Sequence, residues 1–308
     1  MKILLTSTSF QDTPGKHQEA LLATGFEIDR IRGPVKEDIL IPIISDYDGV
    51  ICGDDQYSRK VLEKGRSGKL KILSKYGIGL DKIDVIAAKE LGIKVTNCPG
   101  VNHVTVAEHV FTLILAFFKN LYDEINITRD GRWKRMIGHE IWGKKIGVVG
   151  LGRIGKEVII RASAFGLKLY AYDKYIDKDF ATQYSIQICD SLEKLFEVVD
   201  IVSLNMNLTE ENRHCVNKKM LKNMNNGGLL LINTARGELV DEKAVIYGLE
   251  QKILCGYMTD VMEDEPIIKN HPFIKNDKIF ITPHIGSRTY QSVERQGLRS
   301  VKNLTENI

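Results

Sequence analysis

The chain lacks the compositional marks of several protein classes. Its five cysteines, Cys52, Cys98, Cys189, Cys215 and Cys255, lie far apart with no CxxC pair. An odd, dispersed set argues against a disulfide framework or a thiolate metal site and for reduced thiols in a cytoplasmic protein. No long hydrophobic run is present. The most apolar stretch, Phe111 to Phe118, falls far short of the ~20 residues that a membrane helix needs. Met1 to Thr6 reads as a first strand, too soon interrupted for a secretory signal. Charge of one sign is also missing. The 43 basic residues are scattered among 40 acidic ones for a net +3, so neither nucleic acid nor an anionic membrane is implied as a partner. There is no fixed-period repeat and no low-complexity tract. What remains, 308 residues with 43% apolar and 27% charged side chains, is enough for two domains with substantial cores.

The chain is organised around Lys145 to Asp173. A strand-like run, Ile146 to Val149, leads into Gly150-Leu-Gly152-Arg153-Ile154-Gly155, a helical pattern follows, and a second strand, Leu167 to Tyr172, ends on Asp173. Strand, glycine turn, helix, strand and terminal acid together form a dinucleotide-binding βαβ unit. Gly150 allows the tight turn, Gly152 lets the backbone approach a pyrophosphate, and Gly155 lets helix and strand pack closely. The helix N-terminus offers N–H groups and partial positive charge to the phosphates. Asp173 can accept from both adenosine-ribose hydroxyls and repels a 2′-phosphate, so NAD is favoured over NADP, with Lys174 softening that preference.

Strands alternate with helices on either side of this unit, which predicts an α/β protein of two doubly wound parallel sheets. Residues 1–98 hold strands near Lys2–Thr6, Glu27–Ile31, Gly49–Cys52, Leu70–Ser74 and Ile93–Thr96, with no phosphate-binding glycine fingerprint. Cys98-Pro99-Gly100 is a break. A single long helix is expected from about Val104 to about Thr128, its apolar side running from Ala107 to Leu121; the stripe is wide enough to serve a core and part of a dimer interface. Strands continue through Ile279–Thr282, and a helix from Tyr290 to Leu304 closes the chain. The expected division is a first domain of residues 1–98 plus 288–308 and a second of 99–287. A cleft between two such domains would hold substrate against cofactor.

Three polar sites follow the central unit, each at the end of an expected strand: Asn233-Thr234-Ala235-Arg236-Gly237, Asp260 to Glu265-Pro266, and Pro283-His284-Ile285-Gly286. Ligands of open α/β sheets sit outside the carboxyl ends of the strands. Arginine offers a planar charged fork suited to a carboxylate and an adjacent carbonyl. Histidine gives and takes a proton near neutral pH, and a glutamate bonded to it favours the imidazolium. The set fits hydride transfer between a nicotinamide and a 2-oxo acid. Alone, each residue has a plain alternative: a strand-end cap for Arg236, a turn acid for Glu265, a loop histidine for His284. Glu263 and Asp264 read as solvated turn acids, His271 as part of a turn, and His103, His109 and His139 as structural or exposed. No metal-ligand spacing is present.

With these motifs in order, joined by Lys75-Tyr76-Gly77-Ile78-Gly79-Leu-Asp81-Lys-Ile-Asp84 and Val104-Thr-Val-Ala107-Glu108, the sequence resembles the D-isomer-specific 2-hydroxyacid dehydrogenase family over nearly its whole length. The resemblance implies a flavodoxin-like substrate domain, a Rossmann NAD domain and a homodimer through the latter. It makes His284 the general acid/base, Glu265 its partner and Arg236 the substrate arginine. It places Asp260 at the nicotinamide carboxamide, Thr234, Ala235 and Gly286 along the cofactor, and Lys75, Tyr76, Gly77 and Ile78 at the substrate carboxylate. Within the family the chain is most similar to phosphoglycerate dehydrogenases without a C-terminal regulatory domain, which implies a role in serine biosynthesis. Glyoxylate/hydroxypyruvate reductase is the alternative. NAD-binding co-repressors of the same family are a distant one. Two departures, at Lys75 and at residues 53–57, bear on that choice, and a third, at Asn207, falls near the expected cofactor. Lys75 stands where arginine is frequent, Asn207 where proline is usual, and Gly53-Asp54-Asp55-Gln56-Tyr57 replaces an arginine-bearing loop. Two acids there disfavour a substrate phosphate unless Arg59 or Lys60 compensates.

Overall fold

The computed structural model describes residues 1–224 and 227–308. They form two compact units, Met1–Asn102 with Ser287–Ile308, and His103–Gly286. The first unit extends past the Cys98-Pro99-Gly100 break to Asn102. The segment is tied to that unit's own helix: the Val101 carbonyl accepts from Arg295 Nε at 2.9 Å, and that of Asn97 from Asn303 Nδ2 at 2.8 Å.

The first unit has five strands, β1 (Lys2–Leu5), β2 (Glu27–Arg30), β3 (Gly49–Cys52), β4 (Ile72–Lys75) and β5 (Lys94–Thr96), all parallel in the order β2-β1-β3-β4-β5. Helices cover both faces, which is why β3 is buried along its whole length. Side chains alternate along β1 as the pleat requires. Leu4 packs with Val61, Leu62, Ala87 and Ala88, whereas Ile3 and Leu5 pack with Val293, Val301 and Leu304 of the closing helix Tyr290–Asn307. That helix is capped by Thr289, whose hydroxyl accepts from Ser292 N. It crosses helix Lys16–Leu22 so closely that a Cβ on Gly297 would lie 2.6 Å from that of His17.

The second unit has seven parallel strands: β6 (Lys145–Val149), β7 (Lys168–Tyr172), β8 (Gln187–Ile188), β9 (Ile201–Leu204), β10 (Leu229–Asn233), β11 (Leu254–Thr259) and β12 (Ile279–Ile281). Their order is β12-β11-β10-β9-β6-β7-β8, so the chain reverses its direction of growth between β6 and β9. Apolar clusters fill both faces, one around Val110, Ile114, Ile146 and Val158, the other around Leu204, Leu231, Val245 and Tyr257.

The long helix expected from Val104 to Thr128 is two helices, His103–Phe118 and Leu121–Arg129, meeting at 64°. Asn120 is left-handed at φ 51°, a conformation that asparagine tolerates better than most residues. The Phe118 carbonyl, which would carry the helix on, instead accepts from His139 N at 2.7 Å. The buried stripe therefore stops at Phe118, and Leu121, Tyr122 and Ile125 are exposed. No single helix among the described residues is long and apolar enough to cross a membrane. Three short elements had no legible pattern: helices Thr8–Asp12 and Lys178–Gln183, and the exposed edge strand β8.

Candidate active site

The glycine turn follows β6 at the point where strand order reverses, which is where open α/β sheets place ligands. Gly150 has φ +91°, and a Cβ on it would stand 2.9 Å from the Asn205 carbonyl at the end of β9. A Cβ on Gly155 would come within 1.9 Å of the Gly150 carbonyl, so no side chain fits between helix and turn. Gly152 differs. It caps the twelve-residue helix Arg153–Ala164, and a Cβ there would meet no protein atom within 4 Å. Open space at the head of a helix is a phosphate cradle. Two nearby strand ends carry buried polar atoms that no protein group satisfies, Asn205 Oδ1 and Thr234 Oγ1. Such atoms call for an outside partner. Cradle and orphaned atoms both fit a dinucleotide.

Asp173 lies at the end of β7 and reaches back to the turn, accepting from Leu151 N at 2.6 Å and from Tyr175 N at 2.8 Å. A carboxylate has about four lone-pair sites, so ribose hydroxyls still find acceptors. Lys174 turns instead to Glu211 at 2.6 Å, an exposed pair.

The other three strand ends are laced together. After β10, Asn233 is fully buried. It donates from Nδ2 to the Arg236 carbonyl at 2.8 Å and accepts from Ala235 N at 3.1 Å. This closes a turn that leaves Arg236 half-buried, with Nη1 donating to the Ala235 carbonyl at 2.7 Å. Gly237 lets the turn touch the next loop, since a Cβ there would lie 2.0 Å from the Met262 carbonyl carbon. In that loop Glu265 accepts from Met262 N at 3.0 Å through Oε1 and faces His284 Nδ1 at 2.9 Å through Oε2. The two side chains are 39% and 38% exposed. An ionised Glu265 can only accept, so Nδ1 carries the proton. His284 sits at φ 53°, a sparsely populated conformation for a side chain of its kind.

Asp260 holds that conformation. Its carbonyl accepts from His284 N at 2.9 Å, and its carboxylate accepts from Ile285 N at 2.8 Å, Gly286 N at 2.7 Å and the Thr282 hydroxyl at 2.6 Å. Asp260 is only 2% exposed. Burial by itself would raise its pKa. Hydrogen bonds from His109, Thr282 and the two N–H groups outweigh burial and hold the carboxyl below its ordinary value. Asp260 and Gly286, assigned to cofactor contact, are buried and bonded to each other as the scaffold of the His284 loop. His109, expected to be structural or exposed, is structural: it reaches that scaffold, with Nε2 3.0 Å from Thr282 Oγ1 and 3.4 Å from Asp260 Oδ1. Glu263 is no free turn acid either, since it pairs with His214 at 3.2 Å and Arg213 at 3.4 Å. His271 pairs with Glu242 at 2.8 Å.

In the first unit, Lys75 is buried with its side chain 5% exposed, its Nζ donating to the Gly53 carbonyl and to Asp54 Oδ1 at 2.5 Å each. Tyr76 is buried with its hydroxyl unsatisfied, and Gly77 takes φ +121°, which needs glycine. The Ile78 carbonyl accepts from Asn97 Nδ2 at 2.8 Å. Asp55, read as a second acid facing substrate, is fully buried and accepts from Val35 N at 2.8 Å, Gly53 N at 3.0 Å and the Thr6 hydroxyl. Burial pushes its pKa up. Arg59 pairs with Glu90 at 2.7 Å.

Residues 111–286 match the family model of the D-isomer specific 2-hydroxyacid dehydrogenase NAD binding domain. The hydroxypyruvate reductase of Thermotoga maritima is 34% identical over 302 residues, 96% of both chains. The D-3-phosphoglycerate dehydrogenase of Methanocaldococcus jannaschii is 34% identical over 299 residues; the match covers 96% of this chain, which spans 55% of that protein's length. Among solved structures, the TT0316 protein of Thermus thermophilus superposes with a TM-score of 0.88 at 33% identity, covering 99% of this chain and 96% of that one. The glycine cradle and the arginine, glutamate and histidine at adjoining strand ends all lie within the matched segment, and the chain belongs to the D-isomer-specific 2-hydroxyacid dehydrogenase family, with NAD as its cofactor.

Proposed function

We propose that the chain interconverts a D-2-hydroxy acid and its 2-oxo acid. The observation that carries this is the 2.9 Å contact of His284 Nδ1 with Glu265 Oε2, at a strand end adjoining that of Arg236. NAD supplies the hydride acceptor, and NADH the donor in reverse. Gly150, Gly152, Arg153, Ile154 and Gly155 hold its pyrophosphate through the backbone, Asp173 its ribose, and Thr234 and Ala235 line its nicotinamide. Arg236 binds the substrate carboxylate and carbonyl oxygen. His284 Nε2 gives a proton to the developing alkoxide in reduction and takes one from the hydroxyl in oxidation. Glu265 fixes the ring orientation and keeps the Nδ1 proton in place. Gly77 and Ile78 bind the substrate carboxylate through their backbone, next to Lys75 and Tyr76.

For the substrate we favour a small unphosphorylated acid of the glyoxylate or hydroxypyruvate type. Two of the cations near the loop of residues 53–57, Lys75 and Arg59, are engaged by Asp54 and Glu90. Relatives named for each chemistry match at 34% identity, so 3-phosphoglycerate stays as the second reading. We also propose a homodimer through the second unit, supported by the exposed Leu121, Tyr122, Ile125, Trp133 and Trp142. The five free cysteines favour a reducing, cytoplasmic setting.

The test is NADH oxidation at saturating cofactor with hydroxypyruvate, glyoxylate, pyruvate and 3-phosphohydroxypyruvate in parallel. The expected result is the highest kcat/KM for an unphosphorylated acid. A clear preference for the phosphorylated acid would move the chain to serine biosynthesis. No turnover with any of them, alongside NADH binding, would turn the reading toward a dinucleotide sensor.

A further inference from the structure

We infer that His109 is a positioning residue that anchors the carboxylate carrying the His284 loop. The inference rests on the reaction proposed above and assigns a part of it to a helix remote in sequence. Three of the donors to Asp260 come from the loop itself: the Thr282 hydroxyl and the N–H groups of Ile285 and Gly286. His109 is the donor from outside, on helix His103–Phe118, with its side chain 13% exposed.

Proton bookkeeping fixes its role. The Thr282 hydroxyl has one hydrogen and directs it to Asp260 Oδ1 at 2.6 Å. His109 Nε2, 3.0 Å from Thr282 Oγ1 and 3.4 Å from Asp260 Oδ1, must then be the donor. The ring therefore presents Nε2–H to both oxygens, tying helix, β12 end and β11 end at one point. Gly286 completes the fit. A Cβ there would stand 2.9 Å from Asp260 Oδ2 and 3.5 Å from His109 Cδ2, so the loop comes this close only as glycine. Without the Nε2 donor, a carboxylate 2% exposed keeps its charge with one partner fewer. The loop that Asp260 clamps then loosens at Ile285 and Gly286, next to the strained His284.

The test uses His109→Phe, which keeps an aromatic ring without a donor, and His109→Gln, whose amide nitrogen reaches the Nε2 position. Amide hydrogen exchange at Ile285 and Gly286 reads the clamp without reference to turnover. Steady-state kinetics with the best 2-oxo acid and the NADH dissociation constant read its consequence. In His109→Phe, exchange at both amides should speed up about tenfold or more. A loosened catalytic group costs on the order of tenfold to a hundredfold in kcat, with NADH affinity within about twofold of wild type. His109→Gln should recover most of both. Should His109→Phe fail to fold, Thr282→Val removes the shared hydroxyl and should show the same exchange pattern. Wild-type exchange and kcat in His109→Phe would overturn the inference. So would exchange in His109→Gln as fast as in His109→Phe, which would make ring volume the cause. Faster exchange in a protein whose wild type turns over no 2-oxo acid would uphold the clamp and sink the proposed reaction.

Discussion

Each unit buries an aspartate just past a strand end, and the two carboxylates are treated in opposite ways. Asp55 follows β3 and is wholly buried, accepting from Thr6, Val35 and Gly53; burial prevails and its pKa is pushed up. Asp260 follows β11 and is nearly as buried. Four donors reach it, one of them a histidine, and together they hold its pKa down. Burial alone does not decide whether a carboxylate keeps its charge; the number and kind of donors does. The same contrast runs through the basic groups. Lys75 in the first unit is 5% exposed and engaged by Asp54 and Gly53, while Arg236 and His284 in the second are bonded to Ala235 and Glu265 and stay partly exposed.

The largest expected effect tests the partly exposed histidine of the second unit. His284→Ala should lower kcat by on the order of a hundredfold to ten-thousandfold, the usual worth of a general acid/base, while NADH fluorescence titration shows binding intact. Undiminished turnover would remove the mechanism. Next comes a pair within the glycine turn. Gly155→Ala forces a Cβ to 1.9 Å from a carbonyl oxygen and should cost about 1–3 kcal/mol or more in thermal unfolding. Gly152→Ala meets no protein atom and should leave the melting temperature alone while weakening NADH binding. Equal effects of the two would mean that Gly152 is structural as well.

The aspartate contrast itself is broken by pH. The folded pKa of Asp260 is depressed, so its stabilisation is present above the unfolded value near ~3.9 and is lost as pH falls through the folded pKa. Asp260→Asn should therefore be less stable than wild type by about 1.5–3 kcal/mol at neutral pH, with the gap closing toward acid. Asp55 works in reverse. Its pKa is raised, so the folded state loses stability as pH climbs from the unfolded value through the folded one, and Asp55→Asn should flatten that decline. Melting curves from about pH 3 to about pH 8, spanning the ordinary carboxylate range, decide both signs. Smaller still is Asp173→Ala, which should narrow the preference for NADH over NADPH by about tenfold, as expected for loss of one charged hydrogen-bonding partner. An unchanged ratio would mean that Asp173 serves only the Leu151 turn.

How much of this was legible varied with how local each cause is. Gly150, Gly152 and Gly155 could be read because turn, cradle and close packing each impose a steric rule within a few residues. The alternation of strands and helices could be read because periodicity is local too. Arg236, Glu265 and His284 were legible as residue types at strand ends. The break at Asn120 was hidden because its cause is a hydrogen bond from His139, outside the helix. Asp54 and Asp55 looked alike in sequence, yet one pairs with Lys75 and the other is sealed beneath Val35.

By itself, then, the sequence determined the two parallel sheets, the dinucleotide turn and which polar residue types stand at the strand ends, since sterics, periodicity and side-chain chemistry travel with the residues. Only the tertiary structure decided how each charge is partnered. It paired Lys75 with Asp54, buried Asp260 beneath the His284 loop, and brought His109 to a hydroxyl 173 residues away. Hydrogen bonding and burial depend on what packs beside a group, and here the neighbours come from distant stretches of the chain.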